Sequence, residues 1–124
     1  MPTLYLDHTT KVDASLQEFE DAVRTLDGER YTLLIVELAP GKTLTVGGGP
    51  RHFVVEVEES GAERWALVDS TRGEQPPIVL VVGGQLVDYP ARLCVGIDVV
   101  LKALRAFVTN DGTRRPDLSW SVET

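Results

Sequence analysis

Residues 44–69 decide the fold, and they read LTVGGGPRHFVVEVEESGAERWALVD. Three short runs rich in β-branched and aromatic residues occupy positions 44–46, 51–58 and 65–69, and glycine-bearing turns separate them. Such runs with such turns are typical of an antiparallel meander. We therefore expect the rest of the chain to extend this sheet or to pack against it.

The middle run of the meander alternates in polarity. One face carries Phe53, Val55 and Val57, and the other carries His52, Val54, Glu56 and Glu58. Successive side chains of a strand point to opposite faces, so this pattern predicts one face against a core and one solvated face that bears carboxylates.

The region before the meander predicts a short strand at residues 3–6 and one amphipathic helix. The helix has apolar residues at i, i+3, i+7 and i+10, namely Leu16, Phe19, Val23 and Leu26. Ser15 and Glu18 fit a capping box at its start. Glu20 precedes Arg24 by four residues, the spacing of a favourable ion pair on one helix.

Further elements follow on both sides of the meander. Residues 30–38 predict a strand covered at least partly on both sides, and residues 78–82, apolar throughout, predict an interior strand. A Gly-Gly turn then leads into a partner strand at residues 85–89. A second amphipathic helix spans residues 97–108, and residues 118–122 alternate like a final strand. The order predicts an α+β fold, with an antiparallel sheet of about six to seven strands and two amphipathic helices packed against it.

Composition narrows the class of protein. A chain of 124 residues is most economically one domain, residues 1–124. Its formal charge of −7 argues against direct binding of nucleic acid, which needs Lys and Arg, and is compatible with a basic protein partner. Cys94 is the sole cysteine, so we expect no internal disulfide and a cytoplasmic location. We also expect no signal peptide, no membrane-spanning segment and no cofactor.

Candidate chemical sites are few. The triplet at 47–49 precedes a strand and lacks a following Lys-Ser/Thr, so it predicts a hairpin loop and not a phosphate cradle. His8, His52 and Cys94 lack metal-ligand spacing. Cys94 is interpreted as a small buried apolar residue. A small enzyme that uses Cys94 with a histidine stays open as an alternative.

A family resemblance rests on motifs in a fixed order. They are Leu44-Thr45-Val46-Gly47, the strand at Phe53-Val54-Val55, Val81-Val82-Gly83-Gly84-Gln85 with Asp88-Tyr89-Pro90, the helix Leu101-Lys102-Ala103-Leu104-Arg105-Ala106-Phe107, and Arg115-Pro116-Asp117-Leu118-Ser119-Trp120. Together, over about residues 33 to 122, they resemble the bacterial immunity proteins of the Imm family, type one.

The resemblance implies a cytoplasmic antidote of a polymorphic-toxin system, one that binds a cognate toxin domain, often a nucleic-acid deaminase, and blocks its active site. The family implies no catalytic residue, and the spacing of the histidines and the cysteine leads us to expect no metal. Our hypothesis for the contact surface combines acidic and aromatic side chains: Glu56, Glu58, Trp65, Asp69, Asp88 and Tyr89. A ligand-binding or structural module of a larger assembly remains the second alternative.

Overall fold

The computed structural model of the protein describes residues 2–59 and 63–123. Within them the chain forms nine strands and two α-helices. The strands are β1 (Thr3–Leu6), β2 (Thr9–Val12), β3 (Leu33–Ala39), β4 (Lys42–Gly48), β5 (Phe53–Glu59), β6 (Glu63–Leu67), β7 (Ile78–Val82), β8 (Gln85–Tyr89) and β9 (Trp120–Glu123). The helices are α1 (Leu16–Thr25) and α2 (Ile97–Thr109), and short 3-10 turns occupy Ser70–Arg72 and Ala91–Leu93.

Seven strands form one antiparallel sheet in the order β2-β1-β3-β4-β5-β6-β9, and β7 and β8 form a separate antiparallel hairpin. The strands β3 to β6 are consecutive in the chain and adjacent in the sheet, as expected of the meander. The predicted α+β class is confirmed.

Both helices pack on one face of the large sheet. Phe53, Val55 and Val57 point to that face and are almost completely buried, together with Phe19 of α1 and Phe107 of α2. Burial of this apolar stripe is the main driving force that holds helices and sheet together. The predicted capping box also forms: Ser15 Oγ accepts from the Glu18 amide, and the Glu18 carboxylate accepts from the Ser15 amide.

The predicted ion pair within α1 is wrong. Glu20 is 8% exposed and accepts a hydrogen bond from Arg105 Nε of α2 at 2.5 Å, whereas Arg24 lies near Asp21. Helix packing turns Glu20 towards the second helix, so its partner is 85 residues away in the sequence.

The prediction that residues 78–82 form an interior strand is also wrong. β7 pairs with β8 alone, and Val79 is 55% exposed. The opposite side of the hairpin packs on the large sheet, on the face away from the helices, through Leu80, Val54 and Cys94. Apolar residues point to both sides of β7, which predicted that both sides are buried. The described part of the chain buries only one of them.

Among the described residues, no helix combines the length and the apolar character that crossing a membrane requires.

Candidate partner-binding surface

We call the side of the large sheet opposite the helices the open face. Its central part, on β4, β5 and β6, is a shallow groove of about 200 Å³. The groove is lined by Thr43, Thr45, Glu56, Val57, Glu58 and Arg64. Strand alternation puts these polar side chains outward, since the intervening residues of the same strands enter the core.

Two predicted contact residues lie in this groove. Glu56 and Glu58 are half-buried and point the same way from β5. Strand register places Glu58 opposite Arg64, and its Oε2 lies 3.6 Å from Arg64 Nε. The groove therefore holds two carboxylates and one guanidinium, and it is acidic on balance.

Two more predicted residues belong to the hairpin on the same side of the sheet. Tyr89 packs beside the cluster of Val54, Leu80 and Cys94, whereas Asp88 points outward and is exposed. Val54 precedes Glu56 by two residues on the same face of β5, so the hairpin and the acidic groove are neighbours.

Trp65 lies elsewhere. In the register of β5 and β6 it faces Val57, whose side chain is in the core, so Trp65 points to the helix side. The Arg114 guanidinium stacks 3.5 Å from its ring centroid, and Arg114 Nε donates to Glu59 at 3.0 Å. This cation–π contact joins the segment before β9 to β6.

Asp69 does not line the groove and lies beside the start of α2. Its carboxylate accepts from the amide and hydroxyl of Thr71 and from Arg72 Nε. The pKa of Asp69 lies below its usual value, mainly because the Thr71 hydroxyl donates to the carboxylate. The Thr71 amide and Arg72 lower the pKa further, whereas burial raises it. This carboxylate caps a 3-10 turn.

The candidate nucleophile is buried. Cys94 has no solvent exposure, its Sγ lies 3.7 Å from the carbonyl oxygen of Pro90, and burial raises the pKa of Cys94. Its predicted role as a small buried residue is confirmed. Across residues 2–59 and 63–123, no group of three or more His, Cys, Asp or Glu is placed to hold a metal ion.

Because the thiolate is the reactive form of cysteine, a buried thiol of raised pKa should be inert in the native protein. We expect Cys94 to resist a water-soluble aromatic disulfide reagent and to react fully once the chain is unfolded in guanidinium chloride. Absorbance of the released thiol measures both rates. Rapid stoichiometric labelling of the native protein would contradict this expectation and would revive the cysteine-enzyme alternative.

One surface feature was missed by reasoning from the sequence. Val79 and Leu86 are strongly exposed on the outward side of the hairpin. The available signal is the unbroken apolar run at 78–82, from which the sequence predicts burial within the same chain.

Comparison with known proteins adds a family. A family model described as immunity protein Imm1 matches residues 7–122 of this chain. The match reaches α1 and most of the amino-terminal third, where the motif resemblance was absent. A search of curated proteins finds no match to the chain.

Proposed function

The chain belongs to the Imm1 family of immunity proteins, and from that premise we propose that it is a stoichiometric antidote that binds the toxic domain of a cognate secreted toxin. The family match across residues 7–122 carries this proposal. The proposed role is neutralisation by binding and not by catalysis, with residues 1–124 acting as one immunity domain in the cytoplasm of the producing cell.

We further propose that the toxin domain acts on nucleic acid, as a deaminase, and that the antidote occludes its active site. An enzyme of this class needs a cationic groove for its substrate. The antidote carries a net charge of −7 and exposes an acidic groove on its open face. Carboxylates seated in the toxin's groove would take the place of phosphates.

Glu56 and Glu58 suit that task because they are two residues apart on one strand and point the same way. Their α-carbons are separated by about 7 Å. A rigid sheet holds both groups, so little conformational entropy is lost when a partner binds them.

The proposed contact surface extends from these glutamates to Asp88 and Tyr89, since the hairpin lies on the same side of the sheet. Contact at Trp65 and Asp69 stays a prediction. It requires a toxin domain that also reaches the helix side of the sheet.

Charge reversal tests the proposal. Glu56→Lys and Glu58→Lys together should slow association with the toxin domain about tenfold at low salt, because long-range attraction mainly sets the on-rate. The dependence of the rate constant on salt should flatten. Stopped-flow or surface-plasmon-resonance measurements with the toxin domain encoded by the adjacent reading frame give both quantities.

Glu29→Lys is the matched control for a single charge reversal, since Glu29 is exposed in the loop between α1 and β3. It should change the rate constant much less than Glu56→Lys. Equal effects of the two single substitutions would show that net charge alone matters and would remove the groove from the interface. Absence of any complex with the wild-type protein would overturn the proposed function itself.

A further inference from the structure

The outward side of the β7–β8 hairpin is apolar at its centre. We call it the outer hairpin face, and it consists of Val79, Val81, Leu86 and Asp88. Leu86 is 76% exposed and sits directly opposite Val81, and Val79 is 55% exposed opposite Asp88. Aliphatic side chains are thus adjacent in space, with one carboxylate at their rim.

This face contributes little to the stability of the protein itself. The inward side chains of β7, of which Leu80 is the most buried, cover Val54 and Cys94 on the open face. A strand that is apolar at both parities is normally buried on both sides. Here the second side is left to solvent, which is typical of a surface that another protein covers.

The hairpin is also held in one orientation. The amide of Gly84, in its turn, donates to the Thr32 hydroxyl at 3.0 Å, and Val82 fits against Gly47, where a Cβ would lie 2.6 Å from Val82 Cγ1. Because the hairpin is already fixed on the sheet, its outer face can bind a partner with little loss of conformational entropy.

We propose that the outer hairpin face is the apolar anchor through which this protein holds its toxin, with Leu86 entering an aliphatic pocket of the toxin domain and Asp88 pairing with a Lys or Arg at the pocket rim. This inference rests on the proposed function and places the centre of the toxin-binding surface on the outer hairpin face. The groove and the hairpin share one side of the sheet, so one partner spans both.

Charge decides between the toxin and a second copy of this chain as the occupant. Two copies would each bring a net charge of −7 and an Asp88 carboxylate to the contact. Like charges at an interface are unfavourable, whereas a cationic protein complements both Asp88 and the neighbouring glutamates.

The two parts of the surface therefore have separate roles. The acidic side chains of the groove and Asp88 accelerate the encounter, and a desolvated aliphatic anchor slows dissociation. Leu86→Asp should weaken binding of the adjacent-frame toxin domain at least about 100-fold, almost entirely through faster dissociation. Leu86→Met should retain near-wild-type binding, since it conserves apolar volume.

Val12→Asp is the matched control. Val12 is 68% exposed on β2, at the edge of the large sheet. Val12→Asp likewise replaces a strongly exposed aliphatic side chain by a carboxylate, but outside the proposed interface, and it should leave the dissociation rate unchanged. Circular dichroism should show unchanged thermal unfolding for Leu86→Asp, because the side chain is exposed in the free protein.

The outcomes separate the two proposals. Equal binding by Leu86→Asp and Val12→Asp, with a tight wild-type complex, would overturn the anchor and leave the immunity function standing. No wild-type complex would overturn both. Sedimentation that reveals a dimer abolished by Leu86→Asp would assign the face to self-association and would also overturn the anchor.

Discussion

Asp7→Ala is expected to lower the free energy of unfolding by about 3 kcal/mol, because it removes a carboxylate that satisfies several buried donors. Asp7 accepts from the amides of Thr32 and Leu33, each at 2.9 Å, and from the Thr32 hydroxyl at 3.2 Å. Thr32 is 1% exposed, so water cannot readily replace the lost acceptor. Urea unfolding followed by circular dichroism measures the change.

The same substitution should loosen the hairpin. The Thr32 hydroxyl donates to Asp7 and accepts from the Gly84 amide, so a single buried group connects the β1–β2 turn to the β7–β8 turn. Without Asp7 the hydroxyl loses its acceptor and is free to rotate away from Gly84. Hydrogen exchange of the Gly84 amide should therefore accelerate more than global destabilisation alone requires.

Asp13→Ala provides a control for backbone strain. Asp13 and Asp7 both have left-handed backbone conformations, with φ of 55° and 49°, and alanine is disfavoured to a similar degree at both. The difference between the two variants in free energy of unfolding therefore measures the contribution of the hydrogen bonds of Asp7. Equal destabilisation would show that the carboxylate of Asp7 contributes nothing.

Gly47→Ala is expected to cost about 2 kcal/mol and to displace the hairpin from the sheet, since it overfills a packed contact. A Cβ at position 47 would lie 2.6 and 2.9 Å from the two γ-carbons of Val82. Valine is stiff about χ1, so it has little room to turn aside. Displacement of the hairpin would uncover Val54 and Cys94, and the thiol of Cys94 should become reactive in the folded protein.

Val82→Ala supplies the compensating change. The double variant Gly47→Ala with Val82→Ala should be more stable than Gly47→Ala alone, which gives a coupling energy of about 1 kcal/mol or more in a double-mutant cycle. Gly73→Ala is the control, because Gly73 has helical backbone angles and a Cβ there would make only an ordinary contact, 3.9 Å from the Ser70 carbonyl oxygen. Additive effects of the first two substitutions would contradict the proposed contact.

Periodicity predicted the elements whose burial repeats regularly. Phe107 and its neighbours follow a helical period and lie on the buried face of α2, and the capping box of Ser15 and Glu18 is a local hydrogen-bond pattern. β2 was missed because its four residues, Thr9–Val12, are all exposed and carry no apolar alternation. Its pairing with β1 depends on backbone hydrogen bonds, which leave little trace in residue type.

The structure brings together only some of the residues predicted for the contact surface, because the sequence does not show strand register. Alternation alone placed Glu56 and Glu58 on one face of β5. Grouping Trp65 with them required the register between β5 and β6, and that register puts Trp65 opposite Val57 on the other side of the sheet. A one-residue shift in pairing would have reversed the outcome.

By itself, the sequence determined which residues prefer burial and where the helices begin, because these properties depend on neighbours a few positions apart. Its composition fixed the acidic charge, and its short glycine-bearing turns predicted an antiparallel sheet. Tertiary structure alone decided that Glu20 pairs with Arg105, that Asp7 accepts a hydrogen bond from the Thr32 amide, and that one apolar side of β7 is exposed to solvent. Those outcomes depend on which distant segments meet. An apolar side chain has the same preference for burial whether its own chain or another protein provides the cover.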